Sequence, residues 1–170
     1  AASDVYKRQF SKGSLGDLVS PRDPFGASIK TNFKDSRNEP FEGSIPLVYI
    51  NKIGYIRRDQ LERHHEWVDR WKVLIPKAGD GHGREPAYVL GEPVALAPGS
   101  ACTQSYLMAG TFGSREEAEN YAHFLTTKFC RFLVLQRKIS QDLTPSRFAF
   151  VPLLDMTRRW TDADIYRLYK

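Results

Sequence analysis

Cysteine is scarce in this chain, with Cys102 and Cys130 alone among 170 residues. They form no C-x-x-C pair, and no His/Cys cluster has zinc-finger spacing, so neither a disulfide framework nor a structural zinc site organises the fold. A reducing, cytosolic compartment is the natural expectation. No apolar run approaches the roughly 18 residues of a membrane span, and no secretory signal is visible, so no membrane partner is expected. Three chemical signatures are also missing. The glycine-containing stretch Lys77 to Pro86 lacks the terminal Gly-Lys-Ser/Thr of a P-loop, and no Glu-x-Lys or Asp-x-Lys tripeptide exists to hold a hydrolytic metal beside a lysine. Pro-Pro occurs nowhere. Internal repeats and low-complexity tracts are absent as well.

What is present is a globular composition with a mild basic excess. Hydrophobic residues make up 41% of the chain, enough for a core, and 25 Lys and Arg against 20 Asp and Glu give a formal charge of +5. That excess favours an anionic partner only weakly. The first nine residues, AASDVYKRQ, match one reading frame of a common sequencing adapter and are read as non-native. Setting aside Asp4, Lys7 and Arg8 leaves 23 basic and 19 acidic residues, a balance of +4. On that reading residues 1–9 are expected to be adapter-derived and the remainder to be a piece of a longer protein.

Along the chain, Phe10 to Val19 carries a loose helical pattern weakened by Gly13 and Gly16, read as the end of an upstream helix. Ser20 to Glu39 reads as loop with a short strand near Ile29 to Phe33, so residues 10–39 are assigned to the end of an upstream domain and a linker. Ile45 to Ile56 holds two β-branched and aromatic runs around Asn51-Lys52, a hairpin pattern. Asp59 can cap a helix running through Leu61, His65, Trp67 and Val68. Lys72 to Pro76, KVLIP, reads as a buried strand. Short strands follow at Ala87 to Leu90, Glu92 to Ala97 and Thr103 to Phe112.

Ser114 and Glu117 form an S-x-x-E capping box, and Ala118, Tyr121, Ala122, Leu125, Phe129, Phe132 and Leu133 recur at three and four residues. One helix of about 20 residues is expected there. Phe148, Phe150 and Val151 read as a strand, and Thr161 with Asp164 as the start of a final helix. The predicted class is α+β, a small mixed or antiparallel sheet packed by one long amphipathic helix.

No self-sufficient catalytic constellation stands out. His64 and His65 are adjacent and would point about 100° apart on a helix, so they cannot share a metal as an i, i+4 pair would. His82 reads as an exposed loop residue, with a ligand contact as the rarer alternative, and Cys130 as a small buried hydrophobe. The better signal is cationic. Arg137, Lys138, Gln141, Thr144 and Arg147 crowd one short segment and supply the side-chain types that contact DNA phosphates and base edges. Lys77 and Arg84, at the ends of the glycine-rich loop, would form a second contact loop. Phe148, Phe150 and Trp160 are expected to serve packing.

The order of segments RDPFG…TNF, VYINKIGYI, WKVLIPKAGDG, GSACTQSYLMAGTFGSREEAENYAHFLTTKFCRFL and RKISQDLTPSRFAFVPLLDM…WTDADIYRLY resembles the C-terminal part of bacterial restriction-modification adenine-N6 DNA methyltransferases, including restriction enzymes fused to such a methylase. The resemblance spans roughly residues 20–170. It implies a bacterial cytoplasmic protein in which 40–170 is a DNA target-recognition domain, truncated at its C-terminus, that binds duplex DNA and works with its own missing N-terminal catalytic domain. In that family the upstream domain binds S-adenosylmethionine and holds a flipped adenine with an Asn-Pro-Pro-Tyr-type motif. This sequence has neither that motif nor a glycine-rich cofactor turn after a strand, so no catalytic or cofactor residue carries over and none is expected in this piece. The alternative is a non-catalytic protein–protein module of a restriction-modification complex.

Overall fold

A computed structural model describes residues 13–26, 36–50, 52–77, 90–136 and 143–170. Among the described residues it has an α+β fold built from two three-stranded sheets and three α-helices. The first sheet comprises β1 (Ser44–Tyr49), β2 (Lys52–Arg57) and β5 (Ala101–Cys102), in the order β2-β1-β5. β1 and β2 are the expected hairpin, antiparallel with Ser44 opposite Arg57 and Tyr49 opposite Lys52, whereas β5 runs parallel to β1. The second sheet, in the order β4-β3-β6, is antiparallel and contains β3 (Trp71–Pro76), β4 (Val94–Leu96) and β6 (Tyr106–Phe112).

Strand β3 explains the layering. Its alternate residues point to opposite faces, as strand geometry demands, and both faces are covered. Val73 and Ile75 join Leu107 and Ala109 in a core shared with the helices, while Leu74 joins Met108 and Tyr106 in a second core shared with the first sheet. The continuous apolar run in KVLIP is therefore the signature of a central layer, helices on one side and a sheet on the other.

The register between β3 and β6 jumps from Val73 opposite Gly110 to Leu74 opposite Met108, leaving Ala109 as the extra residue of a bulge. The freed carbonyl of Ala109 accepts the Tyr121 hydroxyl at 2.8 Å. A helix residue thus satisfies what the ladder leaves open. On the outer edge of β6, the Met108 carbonyl accepts from the Ser20 backbone N–H at 2.8 Å and the Met108 N–H donates to the Ser20 hydroxyl at 3.0 Å. Ser20 caps that edge, and Leu15, Val19 and Phe25 are buried in the two cores, so residues 13–26, read as part of an upstream end and linker, belong to this packing.

The expected long helix is two helices, α1 (Arg115–Thr126) and α2 (Lys128–Gln136), which is a correction to the single element predicted. Ser114 caps α1 as its sequence predicts, its hydroxyl accepting from the Glu117 N–H at 3.2 Å. The break falls at Thr127, whose ψ of 149° is extended. Its hydroxyl donates to the Phe124 carbonyl at 2.6 Å and accepts from the Cys130 N–H at 3.2 Å, closing one helix and opening the next. Apolar spacing continues across such a break, so periodicity alone does not reveal it. The final helix, α3 (Asp162–Leu168), begins at the reciprocal Thr161–Asp164 box that its sequence predicts.

Two further expectations change. The helix after Asp59 is instead a pair of 3-10 turns, Arg58–Gln60 and His65–Asp69, separated by His64 at φ +54°. Arg58 ties them together with two bonds to Asp69 of 2.6 and 2.9 Å and a third to the His65 carbonyl. The strand expected around Phe148 is a 3-10 turn, Pro145–Phe148, started by a proline whose φ suits a first helical position. Phe148 and Trp160 are buried as expected, but Phe150 is half exposed. The expected strand at 29–33 and most of that at 87–90 lie outside the described residues. Among the described residues no helix is long and apolar enough to cross a membrane.

Candidate nucleic-acid interface

Of the seven residues singled out for DNA contact, Arg84, Arg137, Lys138 and Gln141 lie outside the described residues, as does His82. Lys77 follows the end of β3, partly exposed, with its backbone N–H donated to the Ser105 carbonyl at 2.9 Å. Thr144 is exposed and shares a hydroxyl hydrogen bond of 3.0 Å with Ser146. Arg147 is buried at 5% exposure, which corrects the expectation of a side chain held out toward a duplex. The cause is local. A 3-10 turn seats Arg147 and Phe148 against the Leu15–Asp17 turn and α2, where an extended strand would have alternated its side chains outward. Lys77 and Thr144 thus remain as exposed or half-exposed candidates, carried by different elements.

The structure presents another cationic group that the sequence pattern did not single out. Arg158 and Arg159 precede α3 and Arg167 lies in its last turn; all three are exposed, and Arg159 sits beside His123 of α1. The Arg158 guanidinium lies 4.2 Å from the Trp160 ring centroid and 3.6 Å from Asp164, to which Arg167 also comes within 3.9 Å. Arg159 instead donates to Nδ1 of His123 at 3.0 Å. This contact requires a neutral imidazole with a free Nδ1 lone pair. Partial burial, then the Arg159 charge, hold the His123 pKa below its ordinary value, with Asp162 pulling the other way. The available signal was the Arg-Arg pair just before the Trp-Thr-Asp start of α3.

The most unusual cation is internal. Lys72 on β3 is fully buried, and its ammonium donates to the carbonyls of Arg70 at 2.8 Å, Trp67 and Val68 at 3.1 Å each, and Ala97 at 3.3 Å. Burial brings its pKa down to about 8, opposed by Cys102 and Asp69. Its protons are spent on the backbone, so it staples the His65–Asp69 turn and the loop after β4 to the central strand. Cys102 and Cys130 are also fully buried, and burial pushes both thiols far up. Such thiols are packing groups, in keeping with the expectation for Cys130. His64 serves structure too, donating from Nδ1 to the Pro24 carbonyl at 2.6 Å and stacking on Trp67 at 3.6 Å. Among the described residues no group of three or more His, Cys, Asp or Glu is placed to hold a metal ion.

No protein-family model matches the chain, and comparison with curated proteins and with solved structures returns no match.

Proposed function

We propose that this chain is the DNA target-recognition portion of a bacterial restriction-modification adenine-N6 DNA methyltransferase, which binds duplex DNA and positions the target adenine for a separate catalytic domain. The observation that carries it is the ordered set of sequence blocks. In the structure those blocks are also the parts that interlock: KVLIP is the central strand β3, LTTKFCRFL spans the Thr127 break into α2, and the Asp of WTD caps α2. S-adenosylmethionine and methyl transfer would belong to the catalytic domain. The residues here do not fit that chemistry, because the glycine-rich stretch after β3 reads Gly-Asp-Gly-His-Gly rather than Gly-x-Gly-x-x-Gly, and no adenine-holding Asn-Pro-Pro-Tyr occurs.

The test is direct titration of the 170-residue chain onto labelled duplex DNA at several salt concentrations. Binding whose log affinity falls linearly with log salt is expected, as for any surface that neutralises phosphates. Absence of binding at low salt would overturn the assignment.

A protein–protein module is the second reading, and two observations favour it. Arg147 is withdrawn from solvent, and α2 leaves Phe132 60% exposed and Leu135 46% exposed. Apolar side chains three apart on one helix face suit a protein partner better than a phosphate backbone. A chain that failed to bind DNA but bound a catalytic subunit through α2 would establish that reading instead.

A further inference from the structure

Arg159 differs from its neighbours in what it faces. Arg158 and Arg167 both lie within 4 Å of Asp164, but no described carboxylate lies within that distance of Arg159, whose hydrogen bond goes to a histidine ring. The obvious neutralising acid is Asp162, and it is committed elsewhere. Its two oxygens accept from the backbone N–H groups of Lys128 at 3.1 Å and Phe129 at 2.9 Å. An exposed guanidinium donating to a group that can itself become a cation is a pair with no described carboxylate hydrogen-bonded to it, and Asp162 acts on His123 only through its charge. A guanidinium bond to an oxyanion, with both partners charged, is stronger than the guanidinium-to-neutral-imidazole bond now in place, and guanidinium geometry matches two oxygens at once.

We infer that the Arg159–His123 pair is a phosphate-contact point, in which two oxygens of a phosphate group replace the direct bond, one accepting from the Arg159 guanidinium and one from the His123 ring. Under the DNA assignment, on which its biological source rests, the phosphate is a phosphodiester of the duplex backbone. The contact carries no sequence information; it orients the domain. The charged groups facing His123 are Arg159 from the segment before α3 and Asp162 from its first turn. Phosphate between the guanidinium and the imidazole favours the imidazolium, so binding tightens as pH falls from about 7.5 toward 5.5.

The experiment uses the full chain, duplex DNA and inorganic phosphate. Arg159 is exposed, so Arg159→Gln should fold normally, with Arg159→Lys as a control that keeps the charge but loses the fork. Expected are about five-fold weaker DNA binding for Arg159→Gln across unrelated sequences, a salt slope smaller by about 1, and partial rescue by lysine. The NMR titration of the His123 ring should move to higher pH when inorganic phosphate or duplex is added, and should not move in Arg159→Gln. Wild-type DNA binding with unchanged affinity and slope in Arg159→Gln overturns the contact and leaves the DNA assignment standing. A His123 shift with inorganic phosphate but no duplex binding upholds the phosphate site and overturns DNA as its source. No shift with either ligand overturns the site outright.

Discussion

The carboxylate of Asp162 caps Phe129: one oxygen accepts the Phe129 backbone N–H at 2.9 Å while the other accepts that of Lys128 at 3.1 Å. The first turn of α3 thereby completes the N-cap begun by Thr127, whose hydroxyl accepts only the Cys130 N–H among the first donors of α2. Negative charge at a helix N-terminus and satisfaction of two orphan donors act together here.

Asp162→Ala should therefore destabilise the chain by about 1–2 kcal/mol, and Asp162→Asn by less, since an amide oxygen still accepts. Urea unfolding followed by far-UV circular dichroism would measure it. Equal stability of the alanine variant and the wild type would show that water replaces the cap at no cost.

Lys72→Met keeps the length of the side chain and removes its donors. Leaving the carbonyls of Arg70, Trp67, Val68 and Ala97 without the ammonium should cost about 2–4 kcal/mol at neutral pH. The pH signature is separate. The folded pKa of about 8 lies below the ordinary 10.5, so between those values the unfolded chain binds a proton that the folded chain does not. Stability from this group is flat below pH 8 and rises with pH across the window. The gap between wild type and Lys72→Met should widen from pH 8 to 9.5 in denaturant titrations. A constant gap would place the folded pKa at its ordinary value.

Tyr121→Phe removes the donor that satisfies the bulged Ala109 carbonyl and leaves the ring packed beside Phe112 at 4.8 Å between centroids. A loss of about 1–2 kcal/mol is expected, without change of fold. Burial raises the Tyr121 pKa well above 10, so above that pH the unfolded chain loses a proton that the folded chain keeps and wild-type stability falls. The variant should lose less stability on raising the pH past 10. Thermal melts at neutral and alkaline pH would show both effects.

Arg147→Ala tests whether burial or DNA contact explains that residue. Truncating a buried charged side chain should cost about 2–3 kcal/mol of stability, while affinity for duplex DNA measured well below the melting temperature stays within about two-fold. Unchanged stability with a large loss of affinity would return Arg147 to the DNA surface.

Local rules made several elements legible. The hairpin between Ser44 and Arg57 follows from two β-branched and aromatic runs with a two-residue connection, Ile50-Asn51, and both capped helix starts, at Ser114 and Thr161, follow from side chains three residues apart. The sequence of β3 even disclosed burial on both faces. Other features depend on partners distant in the chain. The break at Thr127 is sustained by Asp162, 35 positions later, and His64 holds a left-handed backbone while bonded to Pro24 and stacked on Trp67. No window of neighbouring residues contains those contacts.

The candidate site divides in the same way. Order of segments raised the expectation of a DNA-facing protein, and the crowding of basic and polar residues placed Arg147 in the expected contact segment. Charge density along a chain does not state which side chains reach solvent. Folding turned Arg147 inward, buried Lys72 among four carbonyls, and left Arg159 outside, facing a histidine without a carboxylate. The sequence by itself determined the α+β class, the hairpin, the central strand and the capped helix starts, because hydrophobic spacing and capping act within a few residues. Only the tertiary structure decided where one helix becomes two and which cations are free to meet an anion, because both depend on which distant backbone and carboxylate groups are brought within hydrogen-bonding reach.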